Sequence, residues 1–305
     1  MNINHLAIFR AVAEEGGVGK GAERLMVSQP AVSKQLKQFE RAMGVALFDR
    51  LPGGMRITAA GELLLGYARR LFSIEAEAEH ALAQLKGLGR GRVAIGASMT
   101  IGVYLLPERV AAFRREHPQV ELHWEIGNTE HIQQLLLDNT LDLALTEGFV
   151  EAPELEARIF RTDELVPVAR PDHPLLKQKS VTIEAFLREP LILREVGSGT
   201  RAVIERALAG KGLEARPILS LANTEAIKRA VAAGVGVAIV SRLAIDAELA
   251  AGQLALVPIR NLSIQRPLHI LQLRGKHPSP ATQACLRLFA PPPTKKDRKV
   301  PSAKT

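Results

Sequence analysis

A single cysteine, Cys285, stands in a chain of 305 residues, so no disulfide can form within it. Such a chain fits a reducing compartment. No apolar run approaches the roughly 18 residues that a membrane-spanning helix needs. The N-terminus Met1-Asn2-Ile3-Asn4-His5 lacks the basic stretch and long apolar block of a secretory signal. Together these absences predict a cytoplasmic protein. Marks of catalysis are missing as well. The eight histidines show no tight ligand spacing, and Cys285 has no sequence context as a nucleophile. Gly197-Ser198-Gly199-Thr200 lacks the lysine of a nucleotide-binding P-loop, and Gly234-Val235-Gly236 reads better as a tight turn before a core strand than as a dinucleotide signal. No catalytic residue, metal ligand or cofactor is assigned, and an enzyme is not expected.

What is present is an ordinary globular composition, 47% hydrophobic and 24% charged, long enough for about two to three domains. The net charge of +8 is unevenly spread. Residues 1–58 hold 8 Lys/Arg against 5 Asp/Glu, residues 291–305 hold 5 against 1, and the stretch between is close to neutral with 27 against 26. A basic front and a basic tail suggest a polyanionic partner. The tail, Pro291-Pro292-Pro293 followed by Lys295, Lys296, Arg298 and Lys299, reads as a basic disordered end over 291–305.

The first 58 residues pattern as three short helices and a hairpin. Leu6, Phe9, Val12 and Ala13 recur at helical spacing until Gly16-Gly17 breaks the helix. A second helix runs roughly from Val18 to Leu25, and a third opens at Ser28, a good N-cap, with Pro30 in its first turn. Val32, Leu36, Phe39 and Met43 form its apolar stripe, while Ser33, Lys34, Lys37 and Arg41 lie opposite and Gln29 marks the exposed N-terminal end. A helix that reads DNA needs this division: one face for its own domain, the other offering donors and acceptors to base edges. Leu47-Phe48-Asp49-Arg50 and Met55-Arg56-Ile57, joined by Pro52-Gly53-Gly54, then read as a small wing that carries Arg50 and Arg56 toward the backbone or minor groove. On pattern alone, a three-helix bundle with a solvated polar face remains open.

Thr58 can cap a helix over residues 59–86, with Leu64, Ala68, Leu71, Ala78, Leu82 and Leu85 as a heptad-like seam and Glu75 as a polar intrusion. Gly87, Gly89 and Gly91 end it. Beyond it, strands alternate with helices. Strands are expected at Arg92–Ala97, Val120–Ile126 and Asp142–Leu145, with helices near Val103–His117 and Glu130–Leu137. The pattern restarts at Glu164–Ala169 and ends with strand Leu268–Leu273 and a helix at Pro280–Phe289. This predicts a parallel sheet covered on both faces, in two lobes joined by crossings near Arg161–Asp163 and Arg266–His269. Small polar residues recur just after strands: Ser98 and Thr100, Asn128-Thr129, Thr146-Glu147, Gly197-Ser198-Gly199-Thr200-Arg201, and Asn223-Thr224. Any one of them is explained as a helix cap, but five in the same topological place point to a shared ligand cleft.

At this point the residues resemble a known family. Phe9-Arg10-Ala11-Val12-Ala13-Glu14, the run from Ala22 to Ser33 (Ala22-Glu23-Arg24-Leu25-Met26-Val27-Ser28-Gln29-Pro30-Ala31-Val32-Ser33), Leu47-Phe48-Asp49-Arg50 and Ile57-Thr58-Ala59-Ala60-Gly61 closely resemble the LysR-type transcriptional regulators. Farther on, Thr100-Ile101-Gly102-Val103-Tyr104-Leu105-Leu106-Pro107, Leu193–Arg201 and Asn223-Thr224-Glu225-Ala226-Ile227-Lys228 resemble the branch that includes regulators of carbon fixation and sulfur assimilation, which sense anionic metabolites. Val196 stands where that branch often has proline. Gly17 replaces a usual serine and Gly21 a usual alanine, at a cost of about 1 kcal/mol each at most, which predicts a softened second helix.

The resemblance implies a winged helix-turn-helix over 1–58, a linker and dimerisation helix over 59–88, and an α/β effector domain over 91–290. That domain would have two Rossmann-like, periplasmic-binding-protein-like lobes, about 91–161 with 268–290 and about 162–267. Double-stranded DNA carrying an interrupted palindrome would meet Ser28, Gln29, Pro30, Ser33 and Lys34, with Arg24, Lys37, Arg50 and Arg56 on phosphates. A small anionic metabolite would lie among Ser98, Thr100, Thr129, Thr146, Ser198, Gly199, Thr200, Arg201, Asn223 and Thr224. A homodimer or homotetramer is implied, with RNA polymerase as a further partner and no membrane. The alternatives are a solute-binding protein, which lacks the basic front, and a repressor of another helix-turn-helix-plus-sensor family, which lacks the long helix.

Overall fold

The protein is described from a computed structural model, which covers residues 2–51, 54–85 and 91–289. The Pro52-Gly53 turn, the Arg50 side chain, the glycines at 87 and 89, and the basic tail lie outside the described residues. The chain divides into two units, Met1–Leu88 with Asp138–Thr140, and Gly89–Leu137 with Leu141–Thr305.

In the first unit, α1 (Ile3–Glu14), α2 (Val18–Arg24) and α3 (Gln29–Met43) close around Leu6, Phe9, Val12, Val32, Leu36 and Phe39. Gly21 has a packing reason. A Cβ at Gly21 would meet the Val12 backbone at 3.0 Å, so the glycine is what lets α2 lie tightly on α1. Strands β1 (Phe48–Leu51) and β2 (Gly54–Ile57) pair antiparallel as the wing, with Asp49 opposite Arg56. Glu40 ties the wing to α3, its carboxylate accepting from the Leu47 and Phe48 N–H groups at 2.8 and 3.2 Å.

Helix α4 (Ala59–Leu85) begins where Thr58 caps it, the Gly61 N–H donating to Thr58 Oγ1 at 3.0 Å. The predicted seam is overturned in part. Leu64, Ala68 and Leu71 pack with Leu65 and Phe72 onto the core of the unit's own three helices. The exposed apolar row is instead Leu63, Tyr67, Ile74 and Leu82, with Ala78 exposed among them. At 3.6 residues per turn the two rows are neighbouring stripes on one helix, and nothing local in the sequence decides which one α1–α3 will cover. The Leu85 side chain lies outside the described residues.

The second unit is built on one sheet. Its first lobe contributes β3 (Arg92–Ser98), α5 (Met99–Tyr104), α6 (Leu106–Glu116), β4 (Glu121–Gly127), α7 (Thr129–Leu137) and β5 (Leu143–Glu147). The long strand β6 (Leu155–Ala169) carries the chain across. Next come α8 (Ile183–Leu187), β7 (Leu191–Arg194), α9 (Gly199–Ala209), β8 (Pro217–Leu221), α10 (Thr224–Ala232), β9 (Val237–Ser241), α11 (Asp246–Ala250) and β10 (Ala255–Leu256). Strand β11 (Ile264–Leu273) returns, and α12 (Pro280–Arg287) packs back on the first lobe. The order is β4-β3-β5-β11-β6-β9-β7-β8, with β10 on β6.

The expected parallel pairing holds for β3 with β4 and β5, and for β7 with β8 and β9. The two crossing strands run antiparallel to their neighbours, so the sheet is mixed. The sequence pattern marks only the second half of β6. Its first half carries exposed Glu156, Arg158, Ile159 and Arg161, which break the apolar alternation that signals a strand. The single helix expected over Val103–His117 is two, α5 and α6, with Pro107 in the first turn of the second. Each lobe has an apolar cluster on both faces of the sheet, around Ile95 and Leu145 and around Ile132 and Leu271 in the first, around Leu193 and Ile239 and around Ile192 and Val240 in the second.

Candidate functional site

Two surfaces collect the polar residues singled out above. On the first unit, Val32, Leu36 and Phe39 bury one face of α3, while Gln29, Pro30, Lys34 and Lys37 are exposed and Ser33 is half-buried. Ser28 occupies the N-cap position, but its hydroxyl makes no capping bond and is free to meet another group. Met26 precedes it in the turn at φ +54° with its side chain 92% exposed, so the loop into α3 stands clear of the core. Arg56 pairs loosely across the wing with Asp49 at 3.5 Å and stays largely exposed. Arg24 is engaged within the unit. Its guanidinium lies against Glu14 at 2.9 Å and Glu15 at 3.2 Å, so a phosphate would have to compete with two carboxylates for it.

On the second unit the crossing strands bring charge to the floor between the lobes. Arg266 on β11 and Asp163 on β6 are register partners, and the guanidinium meets Asp163 Oδ2 through Nε and Nη2 at 2.7 Å. Arg266 is fully buried, and Asp163 also accepts from Ser241 Oγ at 2.8 Å. Glu147, at the end of β5 and 2% exposed, lies 3.3 Å from Arg266 Nη1. Around these charges stand hydroxyls from both lobes. Ser98 donates to Glu147 Oε2, Thr200 Oγ1 lies 3.4 Å from Glu147 Oε1, and Arg266 donates to Thr200 at 2.7 Å and to Thr100 at 3.2 Å. Thr129 donates to the Glu147 carbonyl at 3.2 Å and accepts the Gly199 N–H, at the start of α9, at 3.1 Å. Gly199 is required there: a Cβ would stand 2.1 Å from the Glu147 carbonyl. A groove of about 420 Å³ opens beside this contact between α7 and α9, with Thr129, Ser198 and Gly199 on its wall.

So Ser98, Thr100, Thr129, Gly199 and Thr200 converge, and Ser198 borders the groove. Thr146, Asn223 and Thr224 lie elsewhere. Thr146 shares a sheet face with Ala144, away from the Arg266 cluster, opposite His269. Both Thr146 Oγ1 and His269 Nδ1 are buried there without a hydrogen-bond partner. Arg201 also lines the groove, with its guanidinium bonding Glu205 at 2.7 Å and the Arg194 carbonyl at 3.3 Å. Asn223 caps α10 through the Glu225 N–H at 2.7 Å, and Thr224 accepts from buried Arg194 at 3.3 Å.

Arg266, Asp163 and Ser241 are not among the residues that the sequence pattern singles out. The signal was present: in Ile264-Gln265-Arg266-Pro267-Leu268, period-two alternation puts Arg266 at an inward position between two apolar ones, and an inward arginine demands buried carboxylates.

A second bridge joins the lobes near α10. Lys228, buried, lies 2.6 Å from Glu225 and 2.8 Å from Glu248 and donates to the Ala244 carbonyl at 2.8 Å, while Tyr104 of the first lobe donates to Glu225. Burial works against the Lys228 ammonium, but the two glutamates outweigh it and hold its pKa above the usual lysine range. Burial and the Glu225 bond push Tyr104 up to about 12. Burial also pushes the Cys285 thiol up to about 12, which leaves it unreactive. Among the described residues no group of three or more His, Cys, Asp or Glu is placed to hold a metal ion, and no helix is long and apolar enough to cross a membrane.

Comparison with known proteins identifies both parts of the chain. Residues 3–62 match the bacterial regulatory helix-turn-helix protein, lysR family, and residues 86–291 match the LysR substrate binding domain. The chain is 34% identical to a RuBisCO operon transcriptional regulator of Allochromatium vinosum over 284 residues, covering 93% of this chain and 94% of that one. It is similar to the regulatory domain of CcmR from Synechocystis PCC6803, solved in complex with 2-PG, with a TM-score of 0.61 and 30% identity over 66% of this chain and 96% of that one. Its fold also matches full-length CbnR, solved with its target DNA, with a TM-score of 0.67 and 22% identity over 95% of this chain and 99% of that one. With family profiles spanning both parts of the chain and relatives named as regulators rather than enzymes, the protein belongs to the LysR family of transcriptional regulators, with a helix-turn-helix for DNA and a domain for a small effector.

Proposed function

We propose that this regulator is a cytoplasmic protein that binds promoter DNA as a dimer on an interrupted palindrome. In this reading a small anionic metabolite held between the two lobes changes that binding. Residues 1–58 read the DNA, 59–88 join two copies, and 91–290 sense the ligand. The carrying observation is the convergence of hydroxyls from both lobes on the buried Glu147–Arg266 pair: Thr100 and Thr200 accept from Arg266, Ser98 donates to the Glu147 carboxylate and Thr129 to its carbonyl. A ligand that takes donors from both lobes sets the angle between them, which is how a small molecule biases a two-lobed domain. The likeness to a domain solved with 2-phosphoglycolate supports a compact phosphorylated acid as the ligand class. The exposed row Leu63, Tyr67, Ile74 and Leu82 supports pairing through α4, because a solvent-facing apolar stripe on a long helix is stabilised by a second copy. A homotetramer would need a second interface, and RNA polymerase would be the partner that reads the outcome on the promoter. Footprinting of the full chain on promoter DNA, with and without 2-phosphoglycolate and related acids, tests the reading. An altered footprint with one of them is expected. The same footprint with all of them would overturn effector control.

A further inference from the structure

The protons of Ser98, Thr129, Thr200 and Arg266 on the cleft floor are engaged inside the chain. A hydroxyl has one proton and a guanidinium five N–H groups. Ser98 gives its proton to Glu147 Oε2, Thr200 faces Glu147 Oε1 at 3.4 Å, and Thr129 gives its own to the Glu147 carbonyl at 3.2 Å. The Arg266 donors are matched too. Nε and Nη2 meet Asp163, Nη2 also meets Thr100, and Nη1 meets Thr200 and Glu147, all within 3.3 Å. Glu147 is the common acceptor, and its carboxylate stands where the oxygens of an entering acid would have to stand to take the same protons. An anion added beside it would set three negative charges on one guanidinium in a buried cluster, and unpaired buried charge is costly.

We propose that Glu147 is an intramolecular ligand of the effector cleft. Its carboxylate holds Ser98, Thr200 and Arg266 until a small anion displaces it. The inference rests on the effector reading above. A tethered carboxylate competes at an effective concentration that is roughly millimolar or higher, so it lowers the apparent affinity of every free anion. It also selects among them. A monocarboxylate only replaces what Glu147 already supplies. A small diacid, such as a phosphorylated carboxylic acid, replaces it and adds a second acidic group that can extend into the adjoining groove, where Ser198 and Arg201 stand on the wall beside the start of α9. The cleft is therefore a filter for compact diacids.

The experiment is chemical rescue on the full chain. Wild type and Glu147→Ala are melted in sodium chloride, in sodium formate at the same ionic strength, and in chloride with formamide. Glu147→Ala is expected to melt several degrees below wild type in chloride and to recover most of that loss in formate, with formamide restoring nothing and wild type indifferent to all three. Equal melting of the variant in chloride and formate overturns the proposal, and so does a formate response of the same size in wild type. Should Glu147→Ala fail to fold, Glu147→Gln keeps the volume and one acceptor oxygen. Its affinity for 2-phosphoglycolate by calorimetry is expected to rise about tenfold over wild type, and an unchanged or weaker affinity overturns the proposal. Formate rescue does not depend on the natural effector, so rescue without any anion binding to wild type would remove the effector reading and leave the assignment of Glu147 standing.

Discussion

Arg266 and Asp163 face each other as register partners on the two strands that cross between the lobes, 2.7 Å apart and both shielded from water. The pair sits at the place where the chain passes from one lobe to the other, so the charge network of the cleft floor is also the joint of the domain.

Removing the arginine leaves Asp163 and Glu147 buried without their cation. Arg266→Met is expected to cost about 3–5 kcal/mol, whereas Asp163→Asn, which leaves Arg266 beside Glu147, should cost less. Urea unfolding followed by the fluorescence of Trp124, the one tryptophan of the chain, measures both. Equal costs would mean that Glu147 does not share the guanidinium.

His269 supplies a pH dependence. Burial lowers its pKa, and its Nδ1 has no partner to offset the loss of water. As pH falls through about 6.5, the unfolded chain binds a proton that the folded chain refuses, so stability falls with pH there and is fully present above it. His269→Phe should flatten this slope between pH 7 and 5. A wild-type slope unchanged in the variant would place the effect on another group.

The two apolar rows of α4 make opposite predictions. Leu63→Glu with Ile74→Glu should convert a dimer to a monomer in sedimentation while leaving the first unit folded. Leu71→Glu should unfold that unit, since Leu71 packs against its core. A double variant that remains dimeric would show that the exposed row is not the main contact.

Much of this was legible in the sequence because the local rules agreed with one another. The stripe Val32, Leu36 and Phe39 fixed which face of α3 is buried, and the turn residues after strands located Ser98, Thr100, Thr129, Gly199 and Thr200. What stayed hidden depended on packing between distant segments. Arg266 and Asp163 are 103 residues apart and acquire meaning only when β11 lies on β6. Leu71 and Ile74 look alike in sequence until α1–α3 cover one and leave the other in water. Thr224 has the residue type of a ligand site, yet Arg194 engages it within one lobe.

For the DNA surface, Gln29→Ala should cost about 1–3 kcal/mol on a duplex that the full chain selects from a random library, and much less on unselected DNA. Lys37→Ala should weaken both and flatten the salt dependence of binding. Equal losses on both duplexes for Gln29→Ala, measured by fluorescence anisotropy, would remove that residue from base reading.

The most direct test of the account is calorimetric titration of small acids into wild type, Thr129→Val and Thr200→Val. The panel includes 2-phosphoglycolate, other phosphorylated carboxylic acids and sulfate. Both hydroxyls lie on the Glu147–Arg266 cluster, one on each lobe. The account predicts that at least one diacid binds wild type and that each variant loses about 1 kcal/mol or more of its binding free energy. A diacid that binds all three proteins equally well would contradict it and place the effector outside the inter-lobe cleft.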